Sequence, residues 1–264
     1  MKRRSFVKAS VMSTAAVVLP IAANATENTA RLPQQEFYEL RAYQLKDATQ
    51  QKLVEDFYKD TAIAALNKLG VKHVGVFTQM QPETQTKLFV LIQYNSLDHF
   101  DKVAEKLSID TDYFTKGATY LNAPAKSPAY ERIETSLLKS FKQSPILEAP
   151  DKSTRLFELR QYQSPSEAAG KQKIEMFNDQ GEMGIFKRLG FKPVFWGETV
   201  IGNARPNLTY MLTFADMDAK NAHWKAFGSD PEWKKISSVP KYADALLINK
   251  IVSTMLVPTE YSQI

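Results

Sequence analysis

The heptapeptide FYELRAY at residues 37–43 returns 119 residues later as LFELRQY at residues 156–162. Two further segments repeat at a distance of 120 residues: LNKLGVK (66–72) corresponds to FKRLGFK (186–192), and KLFVLIQYNSLD (87–98) corresponds to NLTYMLTFADMD (207–218). Because the distance is nearly constant across three separate segments, the chain contains an internal duplication with a repeat of about 120 residues.

Each copy carries the hydrophobic pattern of the same six elements. The opening segment alternates between two faces, one of which carries Tyr38, Leu40 and Ala42, and this period of two indicates a strand. An amphipathic helix follows over 48–69 and, in the second copy, over 167–189, each ended by a glycine. Two strands, a second helix and a last strand come next. Each copy therefore predicts the order β-α-β-β-α-β, which is ferredoxin-like.

The duplication also predicts how the copies assemble. We place the first repeat at 34–145 and the second at 153–264, with a proline-containing linker around 142–152. A four-stranded sheet with helices on one face leaves its other face bare, and two copies can bury these faces against each other. The predicted fold class is therefore α+β, with two tandem ferredoxin-like repeats closing an intramolecular barrel.

The N-terminus resembles a bacterial twin-arginine (Tat) signal peptide. RRSFVK at 3–8 contains the paired arginines, an apolar stretch runs over 11–22, and small residues stand at Ala23 and Ala25. We predict cleavage after Ala25, which makes the protein periplasmic or otherwise exported and leaves no stable membrane insertion. A basic N-terminal helix that is retained in the protein is the alternative.

Charge and cysteine content exclude several classes of function. Residues 1–25 hold four basic and no acidic residues, so the rest of the chain carries 30 basic and 29 acidic residues. This balance gives no support to nucleic-acid binding. Without cysteine, the chain has no disulfides, thiol nucleophiles or thiolate-bound metals. It also lacks a P-loop, a Rossmann glycine fingerprint and a Gly-x-Ser-x-Gly elbow, which excludes nucleotide hydrolysis and serine-hydrolase chemistry.

Several motifs resemble those of the NIPSNAP family. They are the YELRAY and FELRQY openings, KLGVK and RLGFK before the second strands, WG (196–197), HWKAF (223–227), DPEWK (230–234) and LVPTEYS (256–262). The resemblance covers residues 36–264 and implies a dimeric α+β barrel, the fold of small cofactor-independent monooxygenases, some isomerases and, more remotely, haem peroxidase relatives. The first repeat departs from the pattern, with VF at 76–77 in place of WG and DYF at 112–114 in place of DPEW. The resemblance therefore favours the second repeat as the owner of a single site.

Two polar trios on the opening strands are candidate ligand-binding residues: Glu39, Arg41 and Tyr43 in the first repeat, and Glu158, Arg160 and Tyr162 in the second. The alternation places each trio on one face of its strand. If these faces line the barrel interior, each repeat offers a carboxylate, a guanidinium and a phenol that could bind an anionic or polar aromatic ligand. The alternative is that the charges satisfy each other across the repeat interface and determine how the repeats dock.

Aromatic residues and one histidine complete the candidate list. Trp196, with Trp224 and Trp233, could form a pocket for a flat apolar ligand, and packing in the core is the alternative. The three histidines do not have the spacing of metal ligands, so we predict no metal site. His223 could be the proximal ligand of a haem, as in the remote haem relatives, and a packing role is the alternative. Apart from haem as this alternative, we expect no cofactor.

The function predicted from these observations is small-molecule binding. We expect an exported NIPSNAP-like protein that binds a small polar or aromatic molecule in an α+β barrel pocket, with a cofactor-independent oxygenase or isomerase as the enzymatic form of this function. A non-catalytic interaction or scaffold protein is the first alternative, and a haem-binding protein is the second. A cavity of a few hundred Å³ lined by Arg and Tyr would favour ligand binding, whereas a filled interior would favour the scaffold. The sequence leaves open whether the chain forms a homo-oligomer.

Overall fold

The computed structural model describes residues 34–81, 85–153 and 155–264, so the predicted signal peptide at 1–25 lies outside the described residues. The first repeat contains the strands β1 (Phe37–Leu45), β2 (Val74–Gln79), β3 (Thr86–Tyr94) and β4 (Arg132–Ser140), and the helices α1 (Ala48–Phe57), α2 (Ile63–Lys68), α3 (Leu97–Ser108), α4 (Thr111–Lys116) and α5 (Ala118–Leu121). The second repeat contains the strands β5 (Leu156–Gln163), β6 (Lys192–Ile201), β7 (Asn207–Phe214) and β8 (Lys250–Pro258), and the helices α6 (Glu167–Asp179), α7 (Glu182–Arg188), α8 (Met217–Ser229), α9 (Pro231–Ser237) and α10 (Asp244–Leu247).

The eight strands form one closed barrel in the order β1-β3-β2-β8-β5-β7-β6-β4. Neighbouring strands are antiparallel throughout. The sheets of the two repeats join at two seams, where β2 pairs with β8 and β4 pairs with β6. Because both seams are closed, the faces that each repeat would leave bare are buried against each other. This confirms the predicted α+β fold of two tandem ferredoxin-like repeats in one intramolecular barrel.

The centre of the barrel interior is packed with apolar side chains. Tyr38, Phe77, Phe157, Phe195 and Met211 are all fully buried there. Rings from both repeats contact each other, with the centroids of Phe77 and Phe157 at 5.0 Å. The interior of the barrel is therefore a hydrophobic core and supplies much of the burial that stabilises the joined repeats.

The polar trios lie on the opposite face of their strands. Tyr43 packs in the cluster between the first sheet and helix α1, together with Val54 and Phe57. Because alternate residues of a strand point to opposite sides, Tyr38 lies inside the barrel and Glu39, Arg41 and Tyr43 point outward. In the second repeat Phe157 lies inside, and Glu158, Arg160 and Tyr162 point outward. The placement in the barrel interior considered for both trios is therefore wrong. The physical reason is that the outer side supplies hydrogen-bond partners for the buried charges, such as Tyr94 for Glu39 and Trp224 for Glu158, whereas the centre of the barrel offers apolar side chains.

The first helical segment differs between the repeats. In the first repeat α1 and α2 are continuous, linked by a π-helical turn at Tyr58–Ala62. In the second repeat the segment is interrupted between α6 and α7, where Gly181 has φ 87° and ψ 8°. Glycine adopts this left-handed conformation without the steric penalty of a side chain.

The last strand of the second repeat also differs from its prediction. Pattern analysis places its start at Leu246, but residues Asp244–Leu247 form α10 and the strand begins at Lys250. In the part of the chain that the structure describes, no helix combines the length and the hydropathy of a membrane span.

Candidate ligand-binding site

Glu39 and Arg41 form a two-point ion pair on the outer face of β1. Arg41 donates from Nε to Oε1 of Glu39 at 2.7 Å and from Nη2 to Oε2 at 3.0 Å. The hydroxyl of Tyr94 donates to Oε2 of Glu39 at 3.0 Å, and Nη1 of Arg41 donates to the hydroxyl of Tyr58 at 3.1 Å. Such charge-assisted, two-point contacts are among the stronger hydrogen bonds in proteins. The charges of the first trio are therefore satisfied by residues of the first repeat.

A chain of phenols extends from this pair. The hydroxyl of Tyr43 lies 2.8 Å from that of Tyr58 and 3.0 Å from that of Tyr120. Burial raises the pKa of Tyr43 and of Tyr58 well above the ordinary value of a phenol. Both side chains are therefore neutral hydrogen-bonding groups near pH 7, and neither is available as a phenolate base.

The carboxylate of the second trio has a different set of partners. Glu158 is fully buried and accepts from Nη1 of Arg160 at 2.9 Å, from Nε1 of Trp224 at 2.7 Å and from Oγ of Ser253 at 2.7 Å. The ammonium group of Lys220 lies 3.8 Å from it. Glu158 thus keeps several donors besides its arginine.

The second trio and Trp196 belong to one continuous cluster. The guanidinium of Arg160 lies 4.3 Å from the centre of the Trp224 ring and donates from Nη2 to the hydroxyl of Tyr162 at 3.2 Å. The hydroxyls of Tyr162 and Tyr210 are 2.8 Å apart, and the Tyr210 ring stacks on Trp196 with centroids 4.4 Å apart. Tyr210, which pattern analysis missed, is the link between the two parts of the predicted site.

The contacts of both trios stay within their own repeats. Among the described residues, the hydrogen-bond and ion-pair partners of Glu39 and Arg41 come from the first repeat, and those of Glu158 and Arg160 from the second. The charges therefore do not dock one repeat onto the other. A role for either trio in ligand binding stays a prediction.

A cleft of about 630 Å³ opens beside the second cluster, between the linker that joins the repeats and helices α6 and α7. Its apolar lining comes from Phe177, Met183, Phe191 and Trp196, and its polar lining includes Glu148, Asp151, Asn178, Lys187 and Lys192. Gly184 also lines the cleft, and a Cβ added there would meet no atom within 4 Å. The cleft therefore combines a nearly buried aromatic wall, charges of both signs and free space at one helix.

Trp196 stands out within this lining. Its side chain is 1% exposed, and Nε1 has no hydrogen-bond partner among the residues that the structure describes. Its ring packs against Phe177 and Phe186 as well as Tyr210. A buried indole N–H usually finds an acceptor, and leaving it without one costs about 1–3 kcal/mol. Of the predicted site residues, Trp196 alone is part of the cleft lining.

Pattern analysis missed a buried ionic pair next to this cleft. Lys173 on α6 and Glu182 on α7 are each 1% exposed, and Nζ of Lys173 lies 3.6 Å from Oε2 of Glu182. The same ammonium group lies 5.4 Å from the ring centre of Phe177, which lines the cleft. The sequence does contain a signal, because the repeat offset aligns Lys173 with Val54, a buried apolar residue of the first repeat.

His223 on α8 does not offer a suitable ligand for haem iron. Its Nδ1 lies 2.6 Å from the carbonyl oxygen of Ala219, and its Nε2 lies 3.4 Å from the point where a Cβ would stand on Gly190. The nitrogen that would bind iron therefore faces the turn at Gly190, and a porphyrin placed on it would overlap that turn. His99 packs over Gly70 of the first repeat in the same way. Across residues 34–81, 85–153 and 155–264, no cluster of acidic and histidine side chains is arranged to hold a metal ion.

Comparison with known proteins identifies the sequence family twice in the chain. The NIPSNAP family model matches residues 38–145 and again residues 157–263. No curated protein sequence matches the chain.

Solved structures share the fold at low sequence identity. A proposed monooxygenase from Fusobacterium nucleatum has a TM-score of 0.58 and 12% identity, and the match covers 85% of this chain and 93% of that one. A proposed monooxygenase from Lactobacillus acidophilus has a TM-score of 0.56 and 8% identity, over 85% and 94% of the two chains. An anthrone oxidase-like protein has a TM-score of 0.54 and 10% identity, over 86% and 92%. These similarities concern the fold.

Proposed function

This chain belongs to the NIPSNAP family, and from that premise we propose that it binds a small polar or aromatic molecule in the cleft of its second repeat. The observation that carries the proposal is the cleft of about 630 Å³ with Trp196 in its lining. Its volume falls in the range of about 300–1,000 Å³ that is typical of small-molecule sites. The proposed site is therefore outside the barrel, under the linker that joins the repeats.

The lining suggests how a ligand would be held. Phe177, Phe191 and Trp196 form a nearly buried aromatic wall behind the cleft, Met183 adds accessible apolar surface, and the exposed Lys187 and Lys192 offer positive charge to an anionic substituent. The buried N–H of Trp196 has no partner among the described residues, and a hydrogen bond from it to an oxygen of the ligand would remove the cost of leaving that donor unpaired. Arg160 and Tyr162 support this site through Tyr210 and do not line it.

The enzymatic form of this proposal is an oxygenase or isomerase that uses no cofactor. This form is motivated by the proposed monooxygenases and the oxidase-like protein, which share the fold of this chain at 8–12% identity. The proposal includes export by the twin-arginine route, supported by RRSFVK at 3–8, and a mature N-terminus at Thr26 is the result expected from N-terminal sequencing.

A non-catalytic interaction protein is the second candidate. The observation in its favour is the filled centre of the barrel, where Phe77, Phe157 and Met211 leave a core in place of a pocket. The two candidate functions predict different behaviour of the cleft: a ligand-binding protein binds a small molecule there, whereas an interaction protein does not need to.

A thermal-shift screen tests the proposal. The compounds are aromatic acids, quinones and haem, and a ligand present at about 100 times its Kd should raise the Tm by roughly 5–10 °C. Haem has its own readout, because protein that binds it acquires a Soret band. No shift with any compound class, at concentrations up to the solubility limit, would contradict the proposal and favour the interaction protein.

A pair of glycine substitutions shows whether a shift arises in the cleft. Gly184→Leu fills free space in the cleft wall, whereas Gly228→Leu adds the same side chain to open space on α8. Both replace a helical glycine, so their effects on helix propensity match. We expect Gly184→Leu to abolish the shift and Gly228→Leu to keep it. An equal shift in both variants would place the ligand elsewhere.

A further inference from the structure

Lys173, Glu182 and Asp244 form a charged cluster that the hydrophobic fold does not need. Nζ of Lys173 lies 3.6 Å from Oε2 of Glu182 and 3.6 Å from Oδ1 of Asp244, and both distances exceed those of charge-assisted hydrogen bonds. Oε2 of Glu182 has no hydrogen-bond partner within the described part of the chain. Rings of Tyr162 and Trp233 face the ammonium group at 5.6 and 5.3 Å. The pair is enclosed, but its charges are poorly satisfied.

The first repeat shows what the same fold looks like without these charges. The repeat offset aligns Lys173 with Val54, and it aligns Glu182 with Ala62 or Ile63, depending on where the extra residue of the second repeat is placed. All three first-repeat residues are buried and apolar. Because a buried ion pair seldom stabilises a fold better than apolar residues of similar size, stability does not explain the charges of the second repeat.

The cluster is placed where it can act on the cleft. Glu182 stands in the first turn of α7, and the same helix lines the cleft with Met183, Gly184 and Lys187. Gly181, in a left-handed conformation, separates α7 from α6, which carries Lys173. A short helix behind a glycine can change its angle at little backbone cost. The burial of Glu182 beside Lys173 therefore links the position of the cleft wall to the charge state of Glu182.

We propose that Lys173, Glu182 and Asp244 form a proton-binding site that controls the position of α7 and, through it, the shape of the cleft. The cluster and its effect on α7 stand on the geometry described here. The consequence for ligand binding rests on the proposed function of the cleft. The two are tested separately, because the movement of α7 can be measured without a ligand.

The charges around Glu182 determine the direction of the effect. Burial, the largest cause, raises the pKa of Glu182 to about 7, Lys173 from α6 opposes this shift, and Asp244 from α10 adds to it. Other titratable groups on this side are Tyr210 from β7 and, beyond it, Tyr162 from β5 with its bound arginine. Helix α9, which packs against α7, brings Glu232 and Lys235 near Gly181 and Ile185, as does Tyr242 from the following turn. At the end of α7, Arg188 pairs with Asp230 and Glu232.

The raised pKa of Glu182 determines whether acid favours the open or the closed position of α7. In a form of the protein where α7 has moved and Glu182 meets water, the pKa of the carboxyl returns towards its ordinary value of 4.5. The closed form described here binds the proton more tightly, so acid favours it. The equilibrium constant for opening should rise about 40-fold in total between pH 5 and pH 7 and only about twofold from pH 7 to pH 8.

Hydrogen exchange of the protein lacking its signal peptide tests this inference. We would measure protection factors at pH 5, 6, 7 and 8, corrected for the intrinsic pH dependence of amide exchange, for residues 185–188 of α7 and for α2 (Ile63–Lys68) as the internal reference. We expect protection of α7 to fall about 40-fold from pH 5 to pH 7 and then to level off. Helix α2, which has no such cluster, should not show this decline.

Two glutamate substitutions complete the test. Glu182→Gln keeps the shape of the side chain and removes the proton equilibrium, so it should flatten the pH dependence of α7. Glu167→Gln is the matched control, because Glu167 also stands in the first turn of its helix but is exposed. Wild-type protection of α7 that is independent of pH, the same decline in Glu182→Gln, or an equal decline in α2 would each overturn the inference.

Discussion

The helical layers of the two repeats treat buried polar groups in opposite ways. In the first repeat the helix runs on through its π-helical turn, and Glu39, Arg41 and Tyr43 have partners in that layer. In the second repeat the helix breaks at Gly181, and a cleft of about 630 Å³ lies beside the break. Among the described residues, the buried side-chain atoms without a hydrogen-bond partner are Arg155 Nε, Arg160 Nε, Glu182 Oε2, Trp196 Nε1 and Tyr261 OH. The first four lie in the second repeat, whereas Tyr261, from the C-terminal segment, packs against the core of the first repeat.

The comparison shows which of the unsatisfied buried polar atoms are not required by the fold that the two repeats share. Each buried polar atom without a partner costs about 1–3 kcal/mol, and the first repeat avoids that cost at the two equivalent positions, with Val76 in place of Trp196 and Ala62 or Ile63 in place of Glu182. The unsatisfied atoms of Trp196 and Glu182 are therefore not imposed by the fold. Both lie next to the cleft, on its lining or directly behind it, which favours the second repeat as the functional half.

The largest expected effect compares the half-buried arginines of the two trios, Arg41 and Arg160. Arg41→Ala should lower the free energy of unfolding by about 3 kcal/mol, because Glu39 then keeps only the hydroxyl of Tyr94, and Tyr58 loses Arg41 and keeps only the hydroxyl of Tyr43. Arg160→Ala should cost about half as much, because Glu158 keeps Trp224 and Ser253 as donors. Urea denaturation of both variants measures the difference. Equal losses would show that the two repeats hold their charges equally well.

The two arginines also mark the limit of what the sequence could predict. The constant distance between repeated segments was enough to predict a closed barrel of two repeats. The alternation within β1 showed that Tyr38 and Arg41 point to opposite sides of the sheet. It could not show which side faces the interior, because both faces carry large side chains that can be buried. That choice depends on partners far along the chain, such as Tyr94 for Glu39 and Trp224 for Glu158.

The cleft is harder to predict from the sequence than the barrel, although two residues at the cleft could be found from sequence patterns. Trp196 was identified through its motif, but the space beside it arises from the break at Gly181 and from the path of the linker, neither of which has a hydrophobic period. Lys173 could have been found by aligning the repeats, since it replaces Val54 at a buried helix position. Its partner Glu182 lies where the repeats differ in length, so the alignment there is ambiguous.

The next effect belongs to the second repeat alone and concerns pH. The pKa of Glu182 is raised to about 7 by burial, so the stability that its proton contributes is present in acid and is lost as the pH rises towards 7. Between pH 5 and pH 7.5, wild-type protein should therefore lose about 2 kcal/mol more than Glu182→Gln. Urea denaturation at both pH values measures this, with Glu167→Gln as the control. Parallel pH profiles of the wild type and Glu182→Gln would show that Glu182 titrates alike in the folded and unfolded chain.

The smallest expected effect comes from replacing Lys173 and Glu182 by apolar residues, which the first repeat has at the equivalent positions. Glu182→Leu alone should destabilise the protein, because it leaves the buried ammonium group of Lys173 with only the largely exposed Asp244. Adding Lys173→Met removes that charge and restores apolar contacts with Phe177 and Trp233, so the double variant should equal the wild type or exceed it by about 1 kcal/mol. Urea denaturation at pH 7 measures both variants. A double variant no more stable than Glu182→Leu would mean that the charges stabilise the second repeat, and the contrast between the repeats would then reflect packing and not function.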